Sequence, residues 1–235
     1  MRSWVDFWNA EHSIYVSERH KRLHAQNIER DILRHVPAAN GPPQAIVLDY
    51  GCGEAMYAGS LAPHCKQLIL CDAAPRICED LARRLAGVSQ VRVIEPVGVE
   101  QLSSGSLDLI VVNSLLQYLT RADLEALFDL WRGKLKPSGH LVVADVIPPN
   151  VSPLRDAAAL LWFAARGRFL LAAMGGLVRT ALSDYGRIRK QLGFATYSER
   201  EMLDLFAAHG LSAQRVHPNF GHNQARMTFK AVRAG

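Results

Sequence analysis

With 235 residues, 49% of them apolar and 21% charged, the chain can bury one sizeable core and has an ordinary globular composition, neither disordered nor fibrous. No run reaches the ~20 consecutive apolar residues of a membrane-spanning helix, and the polar opening residues lack a signal-peptide core, so the sequence predicts a cytoplasmic protein. The net charge of +5 is uneven: residues 1–150 hold 15 Lys/Arg against 17 Asp/Glu, and residues 151–235 hold 12 against 5. The basic last third suits either an acidic partner (nucleic acid, anionic lipid or acidic substrate) or a solvated arginine-rich face.

In chain order, apolar residues recur at helical spacing from Trp4 to about His35, and Pro37 with Asn40-Gly41-Pro42-Pro43 ends that pattern. Apolar runs over 45–49, 67–71, 91–94 and 107–113 then read as strands, with helices between them over 75–86 and 121–136. Lys136-Pro137-Ser138-Gly139 reads as a turn into a fifth strand over 140–146. After Pro148-Pro149, residues 151–190 change character, with apolar runs Ala157–Ala165 and Phe169–Val178 separated by Arg166-Gly167-Arg168. Ser198-Glu199-Arg200-Glu201 suits a capped helix running to about His209. Strands over 211–216 and 225–232, joined by the turn 217–222, close the chain. Continuous apolar strands alternating with amphipathic helices imply a mostly parallel sheet with helices on both faces. Cys52, Cys65, Cys71 and Cys78 form no C-x-x-C pair and read as reduced structural thiols.

The most informative stretch is Ile46-Val47-Leu48-Asp49-Tyr50-Gly51-Cys52-Gly53-Glu54-Ala55. A buried strand ending in an acid and followed by two spaced glycines describes a side-chain-poor loop on which a nucleotide-like ligand lies against backbone. A second strand, Leu68-Ile69-Leu70-Cys71-Asp72, ends in its own acid about 20 residues later, a spacing that suits a carboxylate on a ribose hydroxyl.

These residues resemble the class I S-adenosylmethionine-dependent methyltransferases over about 45–147, and over 196–232 by layout. The resemblance implies a Rossmann-like seven-stranded sheet with an antiparallel last strand and a helical insertion after strand five. It implies one domain: a helical cap over 1–40, a cofactor-binding core over 41–150, a lid or insertion over 151–195, and core completion over 196–235. The cofactor implied is S-adenosyl-L-methionine, with S-adenosyl-L-homocysteine as product. The residues implied to line its site are Tyr15, Asp49, Gly51, Cys52, Gly53, Asp72, Ala73, Gly98, Val99, Asn113 and Ser114. Two departures stand out. Ala55 takes the third glycine position, and Gly98 stands where the family often has an acid for the adenine amine, which leaves that bond to Glu100 or to backbone near Val99.

For chemistry, His222 and His217 sit on the closing turn at the ligand end of the sheet, where an imidazole titrating near neutrality can act as a base. They read more readily as surface turn residues, and His12, His20 and His24 as packing or solvated helix positions. No metal site is expected, since Asp145 is followed by Val146 and not by a second oxygen ligand. Leu160, Leu161, Trp162, Phe163, Phe169, Leu170, Leu171 and Met174 are expected to line an apolar substrate cavity, a membrane-touching lid or a dimer surface. The reading is methyl transfer to a small apolar acceptor, at oxygen before nitrogen or carbon. The alternatives are an RNA methyltransferase, disfavoured by the strand-four exit Asn113-Ser114-Leu115-Leu116, and a catalytically silent cofactor-binding protein.

Overall fold

The computed structural model describes residues 8–9, 15–182 and 193–235. Its strands are β1 (Ile46–Tyr50), β2 (Gln67–Cys71), β3 (Val91–Ile94), β4 (Leu107–Asn113), β5 (Leu135–Val146), β6 (Leu211–Val216) and β7 (Met227–Arg233). They form one sheet in the order β3-β2-β1-β4-β5-β7-β6. β7 runs antiparallel to both of its neighbours, and the remaining pairs are parallel.

Strand alternation sends successive side chains to opposite faces. Val47, Leu68, Leu70, Leu109 and Val111 meet α1 (Glu18–Leu33), α2 (Ala58–Leu61) and α3 (Pro75–Arg84) through Ile28, Ile32, Leu61, Ile77 and Leu81. Leu48, Ile69, Ile110 and Val112 meet α4 (Pro96–Glu100), α5 (Arg121–Lys134) and α8 (Glu199–Ala208). Here Phe128, Trp131 and Phe206 are fully buried, with the Phe128 and Phe206 rings 4.8 Å apart. Capping fixes where these helices start: Ser17 accepts from His20 N, and Thr120–Asp123 and Ser198–Glu201 form reciprocal capping boxes.

Three sequence expectations change. Of the helical stretch expected from Trp4 to about His35, Trp8 and Asn9 are helical, residues 15–17 are not, and α1 begins at Glu18; residues 4–7 and 10–14, including His12, lie outside the described residues. The turn expected over Lys136–Gly139 is instead the first part of β5, which pairs at Leu107↔Leu135 and shifts register before Leu109↔His140. Glycine is required there, because a Cβ on Gly139 would lie 2.7 Å from the Leu107 carbonyl oxygen, and Lys136 Nζ closes the bulge on Asp108 at 2.8 Å.

The third concerns the insertion, α6 (Pro153–Gly167) and α7 (Leu170–Leu182). Leu160, Leu161, Phe163 and Phe169 do pack inward, around buried Ala164 and Ala173 and against Val16 and Leu23. Trp162, Leu170, Leu171 and Met174 are exposed and face outward. The reason is periodicity: a helix apolar all round buries only the stripe facing the domain. Residues 183–192 of the expected insertion lie outside the described residues.

Candidate functional site

At the carboxyl end of β1 the chain turns sharply onto β2. Gly51 N and Cys52 N both donate to Cys71 O, at 2.8 and 3.0 Å. Gly51 and Gly53 have φ of 75° and 55°, left-handed values at which glycine carries no Cβ penalty. A Cβ on Gly51 would lie 3.0 Å from Leu115 Cδ2, so Leu115 fills that space, whereas nothing lies within 4 Å of a Cβ on Gly53. Ala55, at the third glycine position, also takes a positive φ, 35°.

Asp72, just past β2, locks this loop. Its Oδ2 accepts from Gly53 N and its Oδ1 from Ala74 N, both at 2.9 Å. Burial raises its pKa, and these backbone bonds oppose the rise. A carboxylate has about four acceptor positions, so each oxygen keeps capacity for a ligand hydroxyl. Ala73 beside it is exposed. Asp49 is buried beneath the loop and accepts from the Tyr57 hydroxyl. Burial pushes its pKa up to about 7, opposed by the Tyr57 bond and reinforced by Asp72. The buried Cys52 thiol is raised well above its ordinary pKa and stays neutral; all four cysteines are free.

Gly98 and Val99 lie in α4, the short helix after β3. A Cβ on Gly98 would come 3.1 Å from Ile94 Cβ, and Gly98 N already donates to Glu95 O at 2.8 Å. Val99 is fully buried, with its carbonyl accepting from Leu102 N at 3.1 Å. Gly98 thus packs closely on Ile94 of β3.

Tyr15 stands at the entrance to α1. Burial, with the Glu54 carboxylate nearby, pushes its pKa up to about 12. Lys21 pairs with Glu54 and lies 5.8 Å from the Tyr15 ring centre. A cavity of about 340 Å³ opens on the outer side of the glycine loop, lined by Lys21, Glu54, Met56, Ile77 and Arg84 among others. Asp72, Asn113 and His222 do not line it.

The tips of β4 and β5 carry the second half of the site. Asn113 Oδ1 is buried with no hydrogen-bond partner among the described residues. Ser114 Oγ donates to Asp145 Oδ2 at 2.7 Å. Asp145 also receives Arg226 Nη1 at 3.1 Å, and Arg226 Nη2 reaches Asp156 Oδ2 on α6 at 3.2 Å. Asn223 Nδ2 donates to Asp156 Oδ1 at 2.8 Å, and Asn219 Oδ1 accepts from Asp145 N at 3.2 Å. Burial raises the pKa of Asp145, against the opposing charge of Arg226. This network links β4, β5, the insertion and the closing hairpin.

Above it the hairpin turns His222 inward, while His217 is exposed. The His222 ring stacks on Phe163 at 4.7 Å, and the His20 ring on Phe169 at 5.2 Å. His20, His24 and His222 form a near-equilateral triangle, with ring centres 6.2–6.3 Å apart. Burial lowers their pKa values to about 4, 3 and 4, so all three are neutral at pH 7. Among the described residues no group of three His, Cys, Asp or Glu is placed to hold a metal. The sequence does carry a signal for this cluster: His20 and His24 are four apart, on one helix face. The pairing of Asp145 and Asp156 with Arg226 has no such local signal.

Residues 47–139 match a family described as a methyltransferase domain. The matched segment runs from β1 through the glycine loop and Asp72 into β5, and over it the chain is similar to methyltransferases. The chain is 30% identical to nodulation protein S of Sinorhizobium fredii (strain NBRC 101917 / NGR234) over 148 residues, 62% of each chain. It is 31% identical over 147 residues to a ubiquinone biosynthesis O-methyltransferase of Xanthomonas axonopodis pv. citri (strain 306), 60% of this chain and 57% of that one. It therefore spans about three fifths of the length of these curated relatives. Its fold matches that of the N-methyltransferase NodS from Bradyrhizobium japonicum WM9 in complex with S-adenosylhomocysteine, with a TM-score of 0.56 at 20% identity, over 98% of this chain and 96% of that one.

Proposed function

We propose that this protein transfers a methyl group from S-adenosylmethionine to a small, largely apolar acceptor, with oxygen the first acceptor class to test. The observation that carries the reading is the lock between Asp72 and Gly53, 19 residues apart, which sets a carboxylate beside an open, side-chain-free loop. The unpartnered Asn113 Oδ1 supports it, since a buried acceptor without a donor is costly and an ammonium-bearing ligand at the β4 tip would satisfy it. The relatives are named for transfer to nitrogen and to oxygen, so both acceptor classes belong in the test.

S-adenosylmethionine, when bound, supplies an activated methyl sulfonium, which leaves the protein mainly the work of alignment. Asp72 holds the ribose hydroxyls, Gly53 admits the cofactor against backbone, and Asn113 accepts from its amino group. Ser114 and Asp145 shape the floor on which an acceptor rests. His222 Nδ1 is buried without a hydrogen-bond partner among the described residues, and its imidazole is neutral at pH 7. It orients an acceptor hydroxyl by accepting its proton in a hydrogen bond, and its low pKa makes it a weak store for that proton.

The test is to incubate the protein with methyl-labelled S-adenosylmethionine and fractionated cell extract. Label in the organic phase, lost with Asn113→Ala, supports the reading. Label in RNA would overturn the small-molecule acceptor. No label in any fraction, from protein that binds the cofactor, would favour a silent cofactor-binding protein.

A further inference from the structure

We infer that the outward face of α6 and α7 docks on an anionic lipid surface. The observation is a clustered exposure that packing does not explain. Leu154, Ala158, Trp162 and Arg166 recur every fourth residue on α6 and are all exposed, with Leu154 at 80% and Trp162 at 61%. The start of α7 adds Leu170, Leu171 at 86% and Met174. These five large apolar side chains are most of the eight that the described residues expose, so the patch is concentrated on the insertion.

Charge names the occupant. Arg155 and Arg166 are exposed on α6, and Arg168 is exposed at the cap between α6 and α7. The one acid in residues 153–182, Asp156, is drawn inward onto Arg226 and Asn223, and among the described residues Arg155, Arg166 and Arg168 have no acid partner. The Arg166 guanidinium lies 4.5 Å from the Trp162 ring centre, so an aromatic with an interfacial preference and a cation are presented together. An apolar stripe flanked by arginines is what an interfacial helix presents to acidic headgroups. A second copy of this chain fits less well, because a two-fold contact through this face would set arginines against arginines. No described helix is long and apolar enough to cross a membrane, so the contact lies along the surface. The inward face of the same helices packs Phe163 and Phe169 onto the histidine cluster, which sets the docking face directly behind the acceptor side of the site.

Sedimentation with vesicles tests this without any turnover. The full chain is mixed with vesicles of phosphatidylcholine alone, or of phosphatidylcholine with phosphatidylglycerol. The wild type is expected to pellet with the mixed vesicles, and less so at high salt. Trp162→Ser with Leu171→Ser, and separately Arg155→Glu with Arg166→Glu, are expected to weaken that binding by about tenfold or more. S-adenosylhomocysteine titration of each variant shows that it is folded. Wild type that stays in the supernatant with both vesicle types overturns the inference. So does equal pelleting of the variants, or a dimer on gel filtration that Trp162→Ser dissociates.

Discussion

Ser114 and Asp145 end adjacent strands, both with left-handed backbone (φ 55° and 61°), and the Ser114 hydroxyl donates to Asp145 at 2.7 Å. Non-glycine residues rarely hold that conformation, and such strain concentrates at functional sites. Ser114→Ala removes the hydrogen bond and keeps the strained backbone, whereas Ser114→Gly removes both. Urea denaturation should find the alanine variant about 1–2 kcal/mol less stable than wild type, and the glycine variant closer to wild type. Equal losses in the two would show that the left-handed backbone stores no strain.

Arg226 sits between two carboxylates, Asp145 and Asp156, that come from different parts of the fold. Removing it leaves two acids in a poorly solvated place. Arg226→Met is expected to lose about 3–5 kcal/mol, and Asp145→Asn added to it should restore part of that loss. A double variant no more stable than Arg226→Met would show that the pair is uncoupled.

The histidine cluster makes stability depend on pH. Unfolded, each imidazole titrates near the ordinary 6.5, and folded near 3–4. Below pH 6.5 the unfolded state therefore binds protons that the folded state refuses. The contribution of these groups is full above pH 6.5 and is lost as pH falls toward 4. Asp49 has the opposite sign: its folded pKa is raised to about 7, so it stabilises at low pH and that share is lost as pH rises through 7. His24→Phe isolates the imidazole. Between pH 6 and 4 the wild type should lose up to about 1.4 kcal/mol per pH unit relative to this variant. Parallel stability curves would contradict the burial of His24.

Tyr57 and Asp49 give a second pH test, with the charge changed at one site. Tyr57→Phe removes the hydroxyl that donates to Asp49. At pH 8 Asp49 is ionised and the lost bond is charge-assisted, worth about 1.5–3 kcal/mol. At pH 6 the carboxyl is largely protonated and the loss should be about 1 kcal/mol. A loss that does not change between these pH values would place the Asp49 pKa elsewhere.

The sheet was legible because its strands are near-continuous apolar runs bounded by turn residues: 67–71, 91–94 and 107–113 are expected and found. The glycine loop and Asp72 were legible because their geometry is local and depends on residue type. Residues 136–139 were not, because Pro-Ser-Gly has turn chemistry and only the nearby Leu107 carbonyl makes it a bulge. Nor was the facing of α6 and α7, since an all-round apolar helix does not declare which stripe is buried. The Arg226 bonds to Asp145 and Asp156 span 81 and 70 residues, and only the hairpin's return across the sheet end brings these groups together.

We propose that Asp72 and the glycine loop form the cofactor site. The direct measurement is calorimetric titration of S-adenosylhomocysteine into the purified, cofactor-free protein and into Asp72→Ala, with circular dichroism confirming that both are folded. The expected result is clear binding to wild type and at least about tenfold weakening in the variant, the loss of roughly 1.5–3 kcal/mol that removing a charged hydrogen-bond partner produces. Folded wild type that binds no S-adenosylhomocysteine, or a folded Asp72→Ala that binds it equally well, would contradict the site.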